Sequence, residues 1–590
     1  MAPVAPRAPA AAVSPLTIRR RPAGAASWGS AAGVHPVLER VYAARGIDDP
    51  EQVRYRLGAM ASPQALGGIE TACRLLAEAM AQDRHICVVG DFDCDGATGT
   101  AVAIRGLRLL GAGRVDYRVP NRFVHGYGLT PALVDTLAEP MPDLVVTVDS
   151  GIACLAGVAA AKARGMRVLV TDHHLPGPEL PVADAIVNPN APGDGFPSKA
   201  LAGVGVMFYL LVALRGHLRA AGWFERTGRA EPDLACLLDL VALGTVADLV
   251  PLDYNNRLLV DAGLRRIRAR RACAGILALL ESAGREAATT APADLGFAVA
   301  PRVNAAGRLE DMALGIECLL TDDSGAARSM AERLAAINAE RRELQANMLE
   351  QGEAFVERWI AERGPEGLPL GLTLFEDDWH AGVVGLVASK LKDRLNRPVV
   401  ACAPVLDGGE EVRGSARSIR GVHVRDVLAE VDARHPGLIG RFGGHAMAAG
   451  LTLQRAAVPR FAAAFDAVIR ERAAPELFEP VLLSDGELAP GDFTGELAGQ
   501  LRYAGPWGQG FAEPLFDGEF AVANWRVVAE RHLGLSLRLP GREDPLNAIQ
   551  FHGWSGEPPP ARLRLAYRLV PDDYRGKGAV QLIVEHRQSV

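Results

Sequence analysis

An apolar run and a cluster of acids meet in the segment His85-Ile-Cys-Val-Val-Gly-Asp-Phe-Asp-Cys-Asp-Gly-Ala-Thr98. Its first half is a continuous apolar run that ends at glycine, which is typical of a strand buried on both faces of a parallel sheet. A short buried helix gives the same pattern and stays an alternative. The second half carries Asp91, Asp93 and Asp95. Because carboxylates this close repel one another, a bound cation is the simplest explanation for them.

Three other interpretations of the acidic segment can be compared with this one. A solvated acidic turn remains an alternative. A calcium loop of the EF-hand type also begins D-x-D-x-D-G, but it needs a glutamate at its twelfth position, where this chain has Val102. No Gly-Lys-Ser/Thr follows the glycines, so a phosphate-binding P-loop is excluded.

Length and composition predict a folded protein of several domains. The chain has 590 residues, which suggests roughly three or four domains. With 49% hydrophobic and 23% charged residues, it has enough apolar material for large cores. The formal charge of -7 restricts any nucleic-acid contact to locally basic grooves or metal-screened pockets.

The N-terminal segment and the cysteines indicate the cellular compartment that we expect for this protein. Residues 1–45 are expected to form a partly disordered arm, because the first 30 residues are rich in Ala and Pro and lack the apolar core of a secretory signal. A transit peptide is an alternative, since acids are absent there. No apolar stretch is long enough to span a membrane. Eight scattered cysteines without a C-x-x-C pair argue against structural zinc and disulfides, and we expect a reducing, cytoplasmic location.

Two further apolar runs repeat the pattern of the first. Residues 144–148 lead into Asp149-Ser-Gly151 and residues 168–171 lead into Asp172-His-His174, with a helical segment at about 153–164 between them. Short strands that alternate with helices predict a doubly wound parallel sheet, whose carboxyl edge collects ligand-binding groups. A strand at 115–119 leads into a Gly- and Pro-rich loop that presents Arg122, His125 and Tyr127 at the same edge.

The acids and histidines at these strand ends suit Mg²⁺ or Mn²⁺. Asp248 follows an apolar helix at 234–243 and is a further candidate ligand. Helix capping by Asp149 or Asp172, and a turn or C-cap role for Asp248, are the alternatives. The acids are numerous enough for two ions, which would activate water for displacement at phosphorus. Phosphoester hydrolysis is the expected chemistry.

At this point the chain resembles the DHH phosphoesterase family, in particular its single-stranded-DNA-specific exonucleases. The matching motifs stand in the family's order: Asp91-x-Asp93-x-Asp95-Gly, Pro120-Asn-Arg-Phe-x-x-Gly-Tyr-Gly-Leu129, Asp149-Ser-Gly151, Asp172-His173-His174, Leu243-Gly-Thr-Val-Ala-Asp248 and Pro301-Arg-Val-Asn-Ala-Ala-Gly-Arg308.

The resemblance implies a role for each matching residue. It implies catalysis and ligation of two Mn²⁺ or Mg²⁺ ions by Asp93, Asp95, Asp149, His173 and Asp248, with Asp149 bridging. Asp91 stands near the place where many members have a histidine, so its role as a direct ligand stays open. His174 would face the scissile phosphate, and Asn304 and Arg308 would hold substrate phosphates.

Beyond Thr321, apolar residues at helical spacing predict a long helix over 322–363 that either packs on its neighbours or connects two lobes. The following region, 364–474, resembles the DHH-associated domain. The resemblance implies that Ser415 and Arg417 join Arg122 in binding the 5′ phosphate, and that Gly443, Gly444 and His445 contact substrate. A surface ion pair for Arg417 and an ordinary tight turn for the two glycines are the alternatives.

The last region, 475–590, is expected to be an OB-fold that binds single strands. Alternation places Arg562, Arg564 and Arg568 on one face of a strand and Leu563, Leu565, Tyr567 and Leu569 on the other. This basic face could track a phosphate backbone while Trp525 and Tyr574 stack bases. The arginines could equally be only solubilising.

The expected architecture is therefore an α/β doubly wound DHH domain over 46–321, joined by a long helix to a smaller α/β domain and a C-terminal β-barrel. The resemblance implies a 5′ to 3′ exonuclease of single-stranded DNA in repair and recombination, a monomer that works with a helicase and a single-strand-binding protein. A phosphodiesterase of short oligonucleotides or cyclic dinucleotides is the alternative enzyme. A scaffold without activity is less consistent with the retained acids.

Overall fold

The computed structural model describes residues 16–590 except 23, 25–27, 29–32, 123, 138, 365–366, 406–408, 573–575 and 577. Tyr574, a predicted base-stacking residue, lies outside the described residues. Two compact units are present: the first unit consists of residues 24–338 and 500–513, and the second unit of the remaining residues.

The elements of the chain are as follows. As far as α6 they are β1 (Thr17–Arg20), α1 (Pro36–Ala43), α2 (Ile69–Ala81), β2 (Ile86–Gly90), α3 (Cys94–Leu110), β3 (Val115–Arg118), α4 (Pro131–Asp135), β4 (Leu144–Val148), α5 (Leu155–Ala163), β5 (Arg167–Thr171), β6 (Ala185–Val187) and α6 (Gly203–Ala220). A helical region contains α7 (Trp223–Thr227), α8 (Leu238–Ala247), α9 (Tyr254–Arg268), α10 (Ala274–Ser282), α11 (Pro292–Asp294), a π-helical turn (Leu295–Val299), α12 (Ala300–Leu309), α13 (Ala313–Leu320) and α14 (Ser324–Arg363). The rest comprises β7 (Leu372–Phe375), α15 (Val384–Leu395), β8 (Val399–Pro404), β9 (Glu411–Arg417), α16 (Val424–Arg434), β10 (Arg441–Gly444), β11 (Ala448–Gln454), α17 (Val458–Arg472), β12 (Val481–Ser484), α18 (Gly495–Tyr503), β13 (Phe516–Val528), β14 (His532–Arg538), β15 (Leu546–Gln550), β16 (Arg562–Pro571) and β17 (Val580–Ser589).

The first unit is built on a parallel five-stranded sheet in the order β3-β2-β4-β5-β6. Strands β2 and β4 are buried along their whole length. Helices α4 and α5 cover one face, where Cys87, Val89 and Val145 join their apolar residues in one core, and α3 and α6 lie against the other. The predicted doubly wound sheet is confirmed, and the alternative of a buried helix before Asp91 is excluded.

The order of the strands fixes where a ligand site is expected. Strand β2 is followed along the chain by its neighbour on one side, β3, and then by its neighbour on the other side, β4. Such a reversal leaves a crevice at the carboxyl ends of the strands, and ligands of open α/β sheets bind in this crevice. Asp91 and Asp149 directly follow β2 and β4.

The second unit contains a mixed sheet and a closed barrel. The sheet has the order β10-β11-β9-β8-β7, and its apolar face packs on α16 and α17 around Phe461 and Phe465. The barrel runs β13-β14-β15-β17-β16, with β15 and β17 parallel. The predicted smaller α/β domain and C-terminal barrel are confirmed. The predicted long helix is α14.

The structure adds detail at two expected boundaries. Within the arm that is expected to be partly disordered, β1 pairs in parallel with β12, and Arg20 forms an ion pair with the buried carboxylate of Asp517, 2.9 Å away. Residues 500–513, expected to belong with the barrel, belong to the first unit, because Trp507 and Phe511 stack on Tyr42 at centroid distances of 6.0 and 6.4 Å. Among the described helices, none combines the length and the apolar character needed to cross a bilayer.

Candidate metal centre and nucleic-acid interface

Asp93 and Asp95 lie at the start of α3, directly beyond β2. Asp93 is the N-cap of the helix, and its Oδ1 accepts the N–H of Gly96 at 3.0 Å. Asp95 is buried and accepts the N–H groups of Gly203 (2.7 Å) and Val204 (3.0 Å), which begin α6. Since the amino end of a helix carries partial positive charge, α6 holds the Asp95 carboxylate in a fixed orientation.

Asp149 has an unusual backbone conformation at the end of β4. Its φ is +59°, in the left-handed region that residues with a Cβ rarely adopt. Its side chain lies against Gly203, where an added Cβ would come within 2.5 Å of Asp149 Cβ and 2.6 Å of its Oδ1. A glycine at the start of α6 is therefore required for the Asp149 carboxylate to reach its position.

His173 joins the carboxylates from three different elements. Its Nε2 lies 3.0 Å from Asp149 Oδ1, 3.4 Å from Asp248 Oδ2 and 3.9 Å from Asp95 Oδ2. Asp248 is the C-cap of α8, so the predicted capping position and the predicted ligand position coincide. The acids and histidines form three overlapping groups, and within each group the possible ligand atoms lie within 4.8 Å of one another. The groups are Asp91, Asp93 and Asp149; Asp95, His173 and Asp248; and Asp149, His173 and His174.

The electrostatics of this cluster fit divalent cations. Burial, together with neighbouring carboxylates, raises the pKa of Asp91, Asp149 and Asp248 well above the ordinary value and raises the pKa of Asp95 to about 7. Asp91 Oδ1 is buried and has no hydrogen-bond partner among the described residues. Oxygen-rich clusters of this kind match the ligand preference of Mg²⁺ and Mn²⁺, and a cation would remove the repulsion among the acids. The residues present therefore fit such ions.

Asp172 orients the ring of His174. Its Nδ1 lies 2.8 Å from Asp172 Oδ1, which also accepts the N–H of His173 at 2.7 Å. Burial alone would lower the pKa of His174, but the hydrogen bond and the charge of Asp172 raise it to about 9. His174 Nδ1 also lies 4.0 Å from Asp149 Oδ1.

Arg122 is positioned by an aromatic side chain. Its guanidinium carbon lies 4.0 Å from the centre of the Phe92 ring, and its Nε donates to the carbonyl of Gly307 at 3.2 Å. Tyr127 in turn contacts Phe92 edge to face and donates to the carbonyl of Asp149. The arginine is therefore restrained beside the acidic cluster by a cation–π contact.

Asn304 and Arg308 lie on α12. Asn304 Oδ1 accepts the N–H of Cys94 at 2.8 Å, so Asn304 caps the start of α3 beside Asp93. The resemblance implied a phosphate contact for Asn304, and the structure adds this capping contact. Arg308 is half-buried in the last turn of the helix.

In the second unit, Ser415 and Arg417 lie beside the start of α15. A Cβ on Gly385 would come within 2.9 Å of the Arg417 guanidinium and 3.4 Å of Ser415 Oγ, so glycine lets both side chains approach the first turn of this helix. Gly443 and Gly444 are exposed on β10, and His445 begins the turn to β11 by donating its N–H to the carbonyl of Ala448. Gly444 has φ +138°, and a Cβ there would collide with the Ala448 carbonyl at 2.4 Å.

The predicted basic face of β16 is largely neutralised. The strand alternates as predicted, but Arg562 pairs with Glu519, Arg564 with buried Asp517, and Arg568 with Glu585. The acids stand on β13 and β17, the two neighbours of β16 in the barrel. The solubilising alternative fits these arginines better than phosphate tracking.

An aromatic surface lies on the barrel instead. Trp525 and Trp554 are stacked with centroids 5.5 Å apart, and Phe551, 54% exposed, contacts His532. Exposed Arg526 and Arg531 are close in sequence to this group. We refer to Trp525, Trp554, Phe551 and His532 as the barrel aromatic surface.

Sequence reasoning missed several contributors to the site. Phe92, beneath Arg122, stands between two aspartates that dominate the pattern of that segment. The amides of Gly203 and Val204 come from a helix more than a hundred residues beyond Asp95. The small-residue run Leu201-Ala-Gly-Val-Gly205 is the sequence feature that could have indicated a close approach at this place. The orienting role of Asp172 depends on a side-chain contact that spacing does not reveal.

Comparison with known sequence families defines the class of the protein. The DHH family, N-terminal domain, matches residues 85–245; the DHHA1 domain matches residues 369–471; and the RecJ OB domain matches residues 484–586. The first match covers the parallel sheet and the acidic cluster apart from Asp248, which lies three residues beyond it. The other two matches cover the mixed sheet and the barrel up to residue 586. These are the domains of a DHH phosphoesterase with an attached OB-fold.

Individual relatives show which family within this class the chain belongs to. The chain is 49% identical to the single-stranded-DNA-specific exonuclease RecJ of Dickeya dadantii, over 93% of this chain and 95% of that protein. Its structure is similar to that of RecJ from Thermus thermophilus in complex with Mn²⁺, with 30% identity and a TM-score of 0.77 over 95% of this chain and 77% of that one. The Mg²⁺ complex of the same protein gives 29% identity and a TM-score of 0.73, over 95% and 76%. The chain therefore belongs to the RecJ family.

Proposed function

We propose that this protein is a metal-dependent exonuclease specific for single-stranded DNA that degrades the strand from its 5′ end and acts in DNA repair and recombination. The observation that carries the proposal is the meeting of Asp91, Asp93, Asp95, Asp149, His173 and Asp248 at the crevice of the parallel sheet. The names and bound metals of the relatives support the same activity.

The six side chains would hold two Mn²⁺ or Mg²⁺ ions. Asp149 and His173 each belong to two of the three groups of possible ligand atoms, and Asp149, as a carboxylate with two oxygens, is the proposed bridging ligand. Bound ions of this kind supply an activated water and neutralise the charge that develops on a phosphodiester under attack. Asp91 is included among the ligands because its carboxylate is buried next to Asp93 and needs a positive partner.

The remaining residues of the site bind and orient the strand. His174, oriented by its hydrogen bond with Asp172, would face the scissile phosphate. Arg122, fixed over Phe92, would bind a phosphate oxygen of the same strand. Asn304 and Arg308 on α12 would contact the adjoining phosphates, and Asn304 also keeps the start of α3 in place.

The 5′ phosphate would be bound by Ser415 and Arg417 at the start of α15, where backbone N–H groups add to the two side chains, with Gly443, Gly444 and His445 as further contacts. The barrel would hold the strand through the barrel aromatic surface, since aromatic rings stack on bases of any sequence. A helicase that opens duplexes and a single-strand-binding protein are the proposed partners of a cytoplasmic monomer.

A direct assay tests the proposal. The full chain with Mn²⁺ is incubated with single-stranded DNA labelled at the 5′ or the 3′ end, with duplex DNA and with a cyclic dinucleotide. We expect early release of 5′-labelled mononucleotides from the single strand alone, complete inhibition by EDTA, and loss of turnover in Asp149→Ala with the fold intact. Exclusive cleavage of the cyclic dinucleotide would favour the small-substrate enzyme, and binding of DNA without any cleavage would favour the scaffold.

A further inference from the structure

Phe297 is 83% exposed, although the residues around it are anchored. Leu295 and Val299 on either side are fully buried, and Ala298 is 8% exposed. The backbone that carries Phe297 is therefore fixed while its ring faces solvent. An aromatic ring held in solvent on a fixed backbone can stack on a ligand without first being ordered.

The segment is a π-helical turn, Leu295–Val299, that leads directly into α12. Isolated π-helical turns are uncommon and are frequent at functional sites. On α12, Asn304 caps the start of α3 beside Asp93. Seven residues of helix separate Phe297 from Asn304, which is about 10 Å at roughly 1.5 Å per residue.

A second exposed apolar residue flanks the same place. Leu249 follows Asp248, is 66% exposed and has φ +59°. Its N–H bonds to the carbonyl of Val246, and a methyl group on Gly296 would lie 3.2 Å from Val246 Cγ1. The π-helical turn and the end of α8 are therefore in contact, and Phe297 and Leu249 belong to the two segments that meet there.

The chemistry of these two residues differs from that of the acidic cluster. The cluster suits phosphate through bound cations, whereas Phe297 and Leu249 present only hydrocarbon. The flat apolar part of a single strand is its bases, and base–aromatic stacking tolerates any sequence. Asp248 of the acidic cluster directly precedes Leu249, and the π-helical turn contacts the end of α8, so a strand bound at the cluster passes near both segments.

We propose that Phe297, with Leu249 beside it, forms a base-contacting shelf that holds a nucleobase of the strand next to the phosphate being cleaved. The inference rests on the proposed function and adds a positioning site that acts on the base. It explains how a strand of any sequence is kept in register while its phosphates are cleaved in turn.

The test measures kcat and KM on single strands that are intact or that carry one abasic position, moved stepwise from the 5′ end. For Phe297→Ala we expect KM on intact strands to rise roughly 10-fold, the size of one stacking contact. One abasic position should impair the wild type by a similar factor but add little in Phe297→Ala, because both changes remove the same contact. Phe297→Trp should retain the wild-type KM.

The matched control is Val182→Ala. Val182 is 82% exposed but precedes β6, at the sheet edge opposite the strand ends, and its substitution should leave KM unchanged. If the wild type cleaves single strands but Phe297→Ala has the same KM, the shelf alone is overturned. The same holds if one abasic position has an effect of equal size in the wild type and in Phe297→Ala. A wild-type protein that leaves single strands intact would overturn the proposed function and the shelf together.

Discussion

Asp149 shows how one residue depends on a distant part of the chain. Its left-handed backbone conformation costs about 1–2 kcal/mol for a residue with a Cβ, and such strain is tolerated where surrounding contacts enforce it. Gly203 permits this position, because its missing side chain leaves the space that the carboxylate occupies. The position of the Asp149 carboxylate therefore depends on the beginning of α6.

Gly203→Ala should displace Asp149 and weaken Mn²⁺ binding about 10–100-fold, in line with other changes to groups that orient metal ligands. The matched control is Gly216→Ala in the same helix, where an added Cβ meets nothing within 4 Å and stability should be unchanged or slightly higher. Calorimetric titration of both variants with Mn²⁺ measures the effect. Equal affinities for the two variants would contradict the proposed role of Gly203.

Asp91 provides a pH-dependent test of the cluster. Burial and the neighbouring charge of Asp93 raise its pKa in the folded protein, so the folded state binds its proton more tightly than the unfolded state does. Without metal, the penalty for ionising Asp91 is largest above the folded pKa and disappears as the pH falls toward the unfolded value of about 4.

We therefore expect metal-free Asp91→Asn to be more stable than the metal-free wild type at about pH 8, with the difference shrinking as the pH falls toward about 4. Urea unfolding in EDTA measures it. Added Mn²⁺ should reverse the order at the alkaline pH, because the variant loses a carboxylate ligand. A wild type that is the more stable protein at that pH in EDTA would argue against repulsion within the cluster.

Much of this site could be predicted from the sequence, because Asp91, Asp149 and His173 each follow an apolar run that ends at the same sheet edge. The contacts that hold these side chains in place could not be predicted from the sequence. Phe92 beneath Arg122, Asp172 beside His174 and the amides that hold Asp95 are side-chain and helix-packing relations, most of them between segments far apart in the chain.

At the scale of elements, β16 shows the limit of periodicity. Alternation correctly predicts that Leu563, Leu565, Tyr567 and Leu569 are buried. It does not predict the burial of Ala566, which packs against Ile18 and Leu515 from other segments. Whether its arginines are available to DNA depends on acids of β13 and β17, and strand order decides which acids those are. In the same way, the ordered strand at residues 17–20 could not be predicted within the arm, because its partner strand lies more than 450 residues away.

Asp517 connects three strands through hydrogen bonds. Its buried carboxylate accepts from Arg20 on β1, from Ser484 on β12 and from Arg564 on β16. Burial would raise its pKa, but these hydrogen bonds hold the pKa below the ordinary value. The stabilisation is therefore complete above the unfolded pKa of about 4 and is lost as the pH falls below it.

Asp517→Asn should lower the free energy of unfolding of the second unit by about 2–4 kcal/mol at neutral pH, because partly buried cations lose their partner. The paired control is Glu519→Gln, whose exposed ion pair with Arg562 contributes about 0–1 kcal/mol. Denaturant unfolding followed by the tryptophans of the barrel compares the two. Equal destabilisation by both substitutions would contradict the central role of Asp517.

At the scale of the whole molecule, catalysis and strand retention are assigned to different surfaces. The acidic cluster belongs to the first unit and the barrel aromatic surface to the second. Removal of Trp525 and Trp554 together should weaken binding of a long single strand roughly 10-fold or more, at about 1–3 kcal/mol for each stacked base. Hydrolysis of a dinucleotide should be unchanged.

Arg562→Ala is the control for this prediction, because Arg562 is exposed on the barrel but already paired with Glu519. Fluorescence anisotropy with a labelled strand at several salt concentrations measures both variants. If Arg562→Ala weakened binding as much as the double tryptophan variant, the basic face of β16 and not the aromatic surface would hold the strand.

Anomalous diffraction from crystals of the protein with Mn²⁺ shows whether acids and a histidine from separate elements enclose two divalent ions. We expect two anomalous peaks among Asp91, Asp93, Asp95, Asp149, His173 and Asp248. A single peak, or manganese bound elsewhere with this cluster vacant, would contradict this expectation.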